Sequence, residues 1–141
     1  GQPWKTQYWV RETMNKLYKA TPDGYCGDED NGQTSAWYLF SAMGFYPVTP
    51  ASDQYVLGAP LFKKITLNLE NGKKVVINAA SNSAENKYIS TMSVSGKAYG
   101  KNWLSHSALL QGGNISFGMS AQPNKNRGVL KEDMPFSVSG N

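Results

Sequence analysis

Between Gly32 and Gly44 the chain runs through Ala36, Trp37, Tyr38, Leu39, Phe40, Ala42 and Met43, apolar around most of a helical circumference. A helix of that kind is buried on nearly all sides. Gly44 stands just past its last turn, where a left-handed residue ends a helix, and Pro47 follows. A first helix precedes it. Pro3 suits a first helical turn, whose N–H groups have no partner anyway. Trp4, Tyr8, Val10, Met14, Leu17 and Tyr18 then recur near helical spacing as far as about Lys19. Glu12 and Lys16 form an i,i+4 pair on the outer side. Thr21-Pro22-Asp23-Gly24 breaks the helix and turns the chain. Two helices cannot bury the second by themselves. The hairpin therefore belongs to a larger helical array that this chain does not contain.

From about Ala51 the pattern changes to β-branched alternation. Strands are predicted at Gln54–Leu57, Lys63–Leu69, Lys73–Asn78, Tyr88–Ser95, Lys97–Tyr99 and Asn114–Ser120. Ile65, Leu67 and Leu69 face one way. Asn71-Gly72 predicts a type I′ hairpin, and Ser95-Gly96-Lys97 a second hairpin with a weaker signal. Pro123–Gly128 reads as a closing loop. The fold class is α+β: a helical hairpin over residues 1–50, then an antiparallel, sandwich-like β module over residues 51–141.

Hydrophobic residues make up 40% and aromatic residues 12%, enough to build a core and to exclude a disordered chain. No run of about 18 apolar residues occurs, which excludes insertion of a helix into a membrane. The N-terminus lacks the apolar stretch of a signal peptide and begins almost on a helix, as expected of a piece of a longer protein. The net charge of +4 is unevenly placed: residues 20–62 hold Asp23, Asp28, Glu29, Asp30 and Asp53 with no Lys or Arg. The bases are scattered through polar strands without an aromatic–basic stripe, which argues against nucleic acid as a partner. Cys26 is the only cysteine, so neither an intrachain disulfide nor a cysteine-based metal site can form. Neighbouring acids disfavour its thiolate, and a small buried filler is the expectation.

The acidic island centres on Asp28-Glu29-Asp30-Asn31, between Gly27 and Gly32 and immediately before the apolar helix. Three adjacent carboxylates repel one another, so something outside the loop is expected to use them: a cation, a sugar or the helix N-terminus. A calcium EF-hand is excluded, because counting from Asp28 its required Gly and Glu positions fall on Gln33 and Leu39. Calcium held by carboxylates and carbonyls from several segments stays open. Glycoside hydrolysis is the second possibility: an inverting enzyme needs a carboxylate base and a separate acid, about 6.5–9.5 Å apart. A carboxylate at a helix N-terminus suits the base. The plain alternative is that Asp30 or Asn31 caps the helix, with Gln33 completing a capping box. Trp37 and Tyr38, like Trp4 and Trp9, read as core before sugar platforms. His106, the only histidine, has no Gly-x-Ser-x-Gly elbow to support a nucleophilic triad, and a structural role is expected.

The run Gly27–Val48, with its flanks Gly1–Gln7, Tyr55–Phe62 and Pro123–Asn126, resembles the bacterial α-mannosidases of glycoside hydrolase family 92. The resemblance covers nearly the whole chain. Members of that family are much longer, with an N-terminal β-sandwich domain and an (α/α)6 barrel; residues 1–50 resemble the last barrel helices and residues 51–141 the strands after them. The resemblance implies inverting, Ca2+-dependent hydrolysis of α-mannosidic bonds in mannose-containing glycans by a periplasmic or extracellular protein. It places the general base at Asp28 or Asp30, which match the family's Asp-x-Asp pair. The same two carboxylates are the candidate metal contacts, and Glu29 and Asn31 the candidate substrate contacts. The catalytic acid, a Glu, belongs to an upstream segment absent here, so this chain alone is expected to be inactive. Its uncovered helices are a candidate homodimer surface. Two other classes remain: a carbohydrate-binding β module, and a structural fragment without ligand affinity.

Overall fold

The computed structural model describes residues 1–139. Helix α1 covers Pro3–Leu17, with Pro3 in its first turn as the sequence predicts. A 3₁₀ turn at Asp30–Gly32 leads into helix α2, Gln33–Met43. Eight strands follow: β1 Phe45–Tyr46, β2 Gln54–Leu57, β3 Lys64–Asn68, β4 Lys74–Asn78, β5 Tyr88–Val94, β6 Lys97–Ala98, β7 Trp103–Ser105 and β8 Gly113–Ser120. A one-turn helix α3, His106–Leu109, lies between β7 and β8. The architecture is α+β with two sheets, one ordered β1-β2-β7 and the other β3-β4-β8-β5-β6.

Both sheets contribute to one core. Phe45, Leu57 and Leu104 come from the small sheet, and Val75, Ile77, Ile89, Met92, Ile115, Phe117 and Met119 from the large one. The period of two in β8 puts Ile115, Phe117 and Met119 on the buried face and Ser116 and Gly118 on the other. Phe40 and Met43 of α2 pack on the same core. Phe40 stacks on Tyr55 at 5.9 Å and meets Phe45 edge-on at 6.1 Å, which ties helix to sheet through aromatic contacts.

The backbones of α2 and the β segment touch at one place. Gly44 ends α2 at φ 100°, donating its N–H to Phe40 O (3.1 Å). Its carbonyl accepts from Gly58 N at 2.9 Å, and Leu61 N reaches Ala42 O at 2.9 Å. A Cβ at Gly44 would lie 2.9 Å from Pro60 N, so only glycine fits by both dihedral and space.

Two features differ from the sequence-based expectation. The large sheet contains one parallel pair, β4 beside β8, because the chain from β4 returns to β8 only after β5, β6 and β7. Asn71-Gly72 does not form the type I′ turn. Only Gly72 has positive φ, while Asn71 donates to Leu110 O (2.8 Å) and accepts from Lys73 N (3.0 Å), which fixes it in another conformation. Ser95-Gly96, the weaker signal, has the positive φ at both residues that a type I′ turn requires. As the sequence implies for a helix whose partners lie elsewhere, α2 is buried on one side only, with Leu39 62% exposed.

The buried face of α1 is mostly polar: Gln7, Arg11 and Met14, at successive turns. Gln7 Oε1 accepts from Ile89 N at 3.0 Å. Arg11, 3% exposed, donates to Pro60 O (2.6 Å), Asn82 Oδ1 (2.9 Å) and Ser83 O (3.3 Å). Burial lowers the pKa of this guanidinium. α1 is thus attached to the β segment by hydrogen bonds as much as by apolar contact.

Candidate functional site

The acidic loop is fixed by side chains from the first turn of α2. Asn31 (φ 53°) and Gly32 (φ 76°) are consecutive left-handed residues, which reverse the chain just before the helix. Gly32 occupies the N-cap position and has no side chain to satisfy the helix's free N–H groups. Glu29 does so from outside: both its carboxylate oxygens accept from Ser35 N at 3.1 Å. The Ser35 hydroxyl also binds Glu29 Oε1. These bonds, the hydroxyl first, hold the Glu29 carboxyl below its usual pKa. Thr34 Oγ1 donates to Asp28 O at 3.1 Å, and Tyr25 Oη lies 2.9 Å from Ser35 Oγ. The cap expected from Asp30 or Asn31 is therefore supplied by Glu29, because the left-handed pair carries residues 30 and 31 around the turn.

The consequence is a division among three adjacent acids. Glu29 is committed to the helix. Asp28 and Asp30 are exposed, and the ion pairs among the described residues, Glu12 with Lys16 and with Lys87, leave both of them out. Asn31 is also exposed, at the tip of the turn. Beside the loop a cleft of about 530 Å³ is lined by Tyr18, Lys19, Ala20, Tyr25, Ser35, Tyr38 and Leu39. Tyr18 stacks on Trp37 at 5.6 Å and tilts against Tyr38 at 5.0 Å, so Trp37 and Tyr38 are half-buried in an aromatic cluster between the helices. Cys26, expected inside, is exposed, because its glycine-flanked loop projects from the helix ends.

The structure does not assemble a Ser-His-Asp triad around His106. Its ring Nδ1 lies 2.8 Å from Tyr55 Oη, whereas Asp53 accepts from Ser105 Oγ (2.7 Å), Ser107 Oγ (2.9 Å) and Ser107 N (3.1 Å). Asp53 serves the start of α3, and His106 packs against Tyr55 in the structural role expected of it. Thr34, Ser35 and Tyr25 are the residues that sequence reasoning passed over. Their signal is faint, since Glu29 and Ser35 are six positions apart, outside the three-residue spacing of a capping box.

The glycosyl hydrolase family 92 catalytic domain matches residues 1–121. A solved GH92 inverting mannosidase from Bacteroides thetaiotaomicron is 53% identical, with a TM-score of 0.92 over 99% of this chain and 19% of its own. A GH92 alpha-mannosidase from the same organism is 40% identical, with a TM-score of 0.92 over 96% of this chain and 18% of its own. An uncharacterized secreted glycosidase from Arthroderma benhamiae is 26% identical over 124 residues, 86% of this chain and 16% of the relative. The chain spans less than a fifth of the length of each of these proteins. With the family pattern running through α1, α2, α3, the acidic loop and the eight strands described, the chain belongs to glycosyl hydrolase family 92.

Proposed function

We propose that this chain is the C-terminal portion of an inverting, calcium-dependent exo-α-mannosidase acting on mannose-containing glycans, with the general base drawn from Asp28 and Asp30. One observation supports the reading above others. On a loop whose middle acid is held by Ser35, the two flanking aspartates are exposed and unpaired. A general base must reach water and have an oxygen free to take its proton. In inversion the carboxylate accepts a proton from the water that attacks the anomeric carbon, while a carboxylic acid on the other side protonates the departing oxygen. That acid lies in the longer parent protein, and the isolated chain is inactive.

Residues 1–50 are on this reading the last helices of an (α/α)6 barrel, and residues 51–141 a C-terminal β module. The exposed Trp9 and Leu39 then face helices of the parent; in the isolated chain the same surface pairs two copies. Asn31 supplies an amide for a sugar hydroxyl. Calcium, when bound, offers mannose hydroxyls a hard cation to coordinate. The ion takes 6–8 oxygens. Among the described residues no group of three His, Cys, Asp or Glu side chains is placed to hold a metal ion. Asp28 and Asp30 are this chain's contribution to a coordination sphere completed elsewhere. The parent is a bacterial protein exported to the periplasm or beyond, in keeping with the secreted relative.

The test is hydrolysis of an activated α-mannoside by the full-length parent and its Asp28→Asn and Asp30→Asn variants, with calcium and with chelator. Loss of the base lowers kcat by about 10²–10⁴-fold. Chelation abolishes turnover, and the 141-residue chain shows none. Near-normal turnover by both folded variants overturns the base assignment. Mannose binding by this chain alongside an inactive parent favours a carbohydrate-binding module instead.

A further inference from the structure

Ser35 stands where three features meet. It lines the 530 Å³ cleft, its hydroxyl and N–H both engage Glu29, and its hydroxyl lies 2.9 Å from Tyr25 Oη. One residue earlier, Thr34 Oγ1 holds the Asp28 carbonyl. The two contacts tie residues 28 and 29 to the first turn of α2, with Asp30 and the left-handed pair Asn31-Gly32 enclosed between them. Asn is among the side chains that enter the left-handed region most readily, and the two contacts close the loop on either side of it.

We propose that Ser35 is a positioning residue for the hydrolytic reaction: through Glu29 on one side and Tyr25 on the other, its hydroxyl holds the Asp28–Asp30 loop in the conformation that presents the base. The inference rests on the reading of Asp28 and Asp30 given above. Ser35 itself does not touch the sugar. Glu29, whose carboxylate accepts from both Ser35 N and the Ser35 hydroxyl, acts by clasping Ser35 instead of contacting substrate. A hydroxyl is well suited to this because it donates to the carboxylate and accepts from the phenol at once. An alanine there keeps the N–H bond to Glu29 and loses both side-chain links. Since alanine is the better helix former, loss of the hydroxyl does not weaken α2 through propensity.

The experiment compares wild type, Ser35→Ala, Ser35→Thr and Tyr25→Phe in the full-length parent, measuring kcat and KM on an activated α-mannoside together with the melting temperature. The expected result is a kcat about tenfold lower for Ser35→Ala, with KM within about twofold and an unchanged melting temperature, consistent with an interaction that matters only in the transition state. Threonine, which retains the hydroxyl, restores most of the rate, and Tyr25→Phe lowers kcat by a smaller factor. Unchanged kcat in Ser35→Ala overturns the proposal. So does a rise confined to KM, which makes Ser35 a substrate contact, or a rate loss that follows a fall in melting temperature and is not restored by threonine. Failure of the underlying reading is separately visible: Asp28→Asn and Asp30→Asn then both remain active, whatever Ser35→Ala does.

Discussion

Asp53 shows at the scale of a residue how a surface acid acquires a task from its neighbours. The Ser105 hydroxyl, then the Ser107 N–H and hydroxyl, hold its carboxyl below the ordinary value of 3.8. A carboxyl depressed by folding stabilises the fold above its unfolded pKa, and that contribution fades as pH falls through the lower, folded value. Asp53→Asn is therefore expected to unfold at lower urea than wild type at pH 7, with the gap narrowing as pH drops below the aspartate range. A gap independent of pH contradicts this. Nothing in the linear order near Asp53 announces its partners, because they lie more than fifty residues away on β7 and α3. The acidic loop differs. Its three acids between glycines pointed to a site from the sequence, yet the assignment of the middle acid to Ser35 needed the backbone reversal at Asn31-Gly32 to be seen.

At the scale of elements, the helices were legible because their boundary signals are local: Pro3 at a start, Gly44 at a stop. Six strands were legible from local signals too: five are long enough to alternate, and the two-residue Lys97–Ala98 follows the Ser95-Gly96 turn. The two-residue Phe45–Tyr46 and three-residue Trp103–Ser105 were not, since each is defined by its pairing with β2 and neither carries a turn signal of its own. The buried face of α1 was misjudged in kind. Apolar periodicity selected Leu17, which is 49% exposed, and passed over Gln7 and Arg11, which are inside. Polar residues enter a core when their bonds are met, and here strand N–H groups and loop carbonyls meet them. Arg11→Met keeps the volume and removes the donors, leaving Pro60 O and Asn82 Oδ1 without them. Chemical denaturation is expected to register a loss of about 1–3 kcal/mol. A loss below the error of the method contradicts the docking role.

At the scale of the whole molecule, the helices close a core that the strands leave open. Removing residues 1–50 takes away Phe40, Ala42, Met43 and Phe45 together with the Arg11 and Gln7 attachments. The intact chain is expected to unfold in one transition, the same by far-UV circular dichroism as by tryptophan fluorescence. Residues 51–141 alone are expected to show no sharp transition; a sharp one contradicts the shared core. The contact of Gly44 with Pro60 gives that closure a geometric meaning. α2, with its 11 residues, is a rod about 16 Å long. One end bears on Pro60, and the other carries Asp30 into the open. A tilt of about 4° at the bearing sweeps the tip by about 1 Å, and an error of that size is costly to catalysis. The strands, which hold none of the loop's acids, are the surveyor's mark from which the position of those acids is measured.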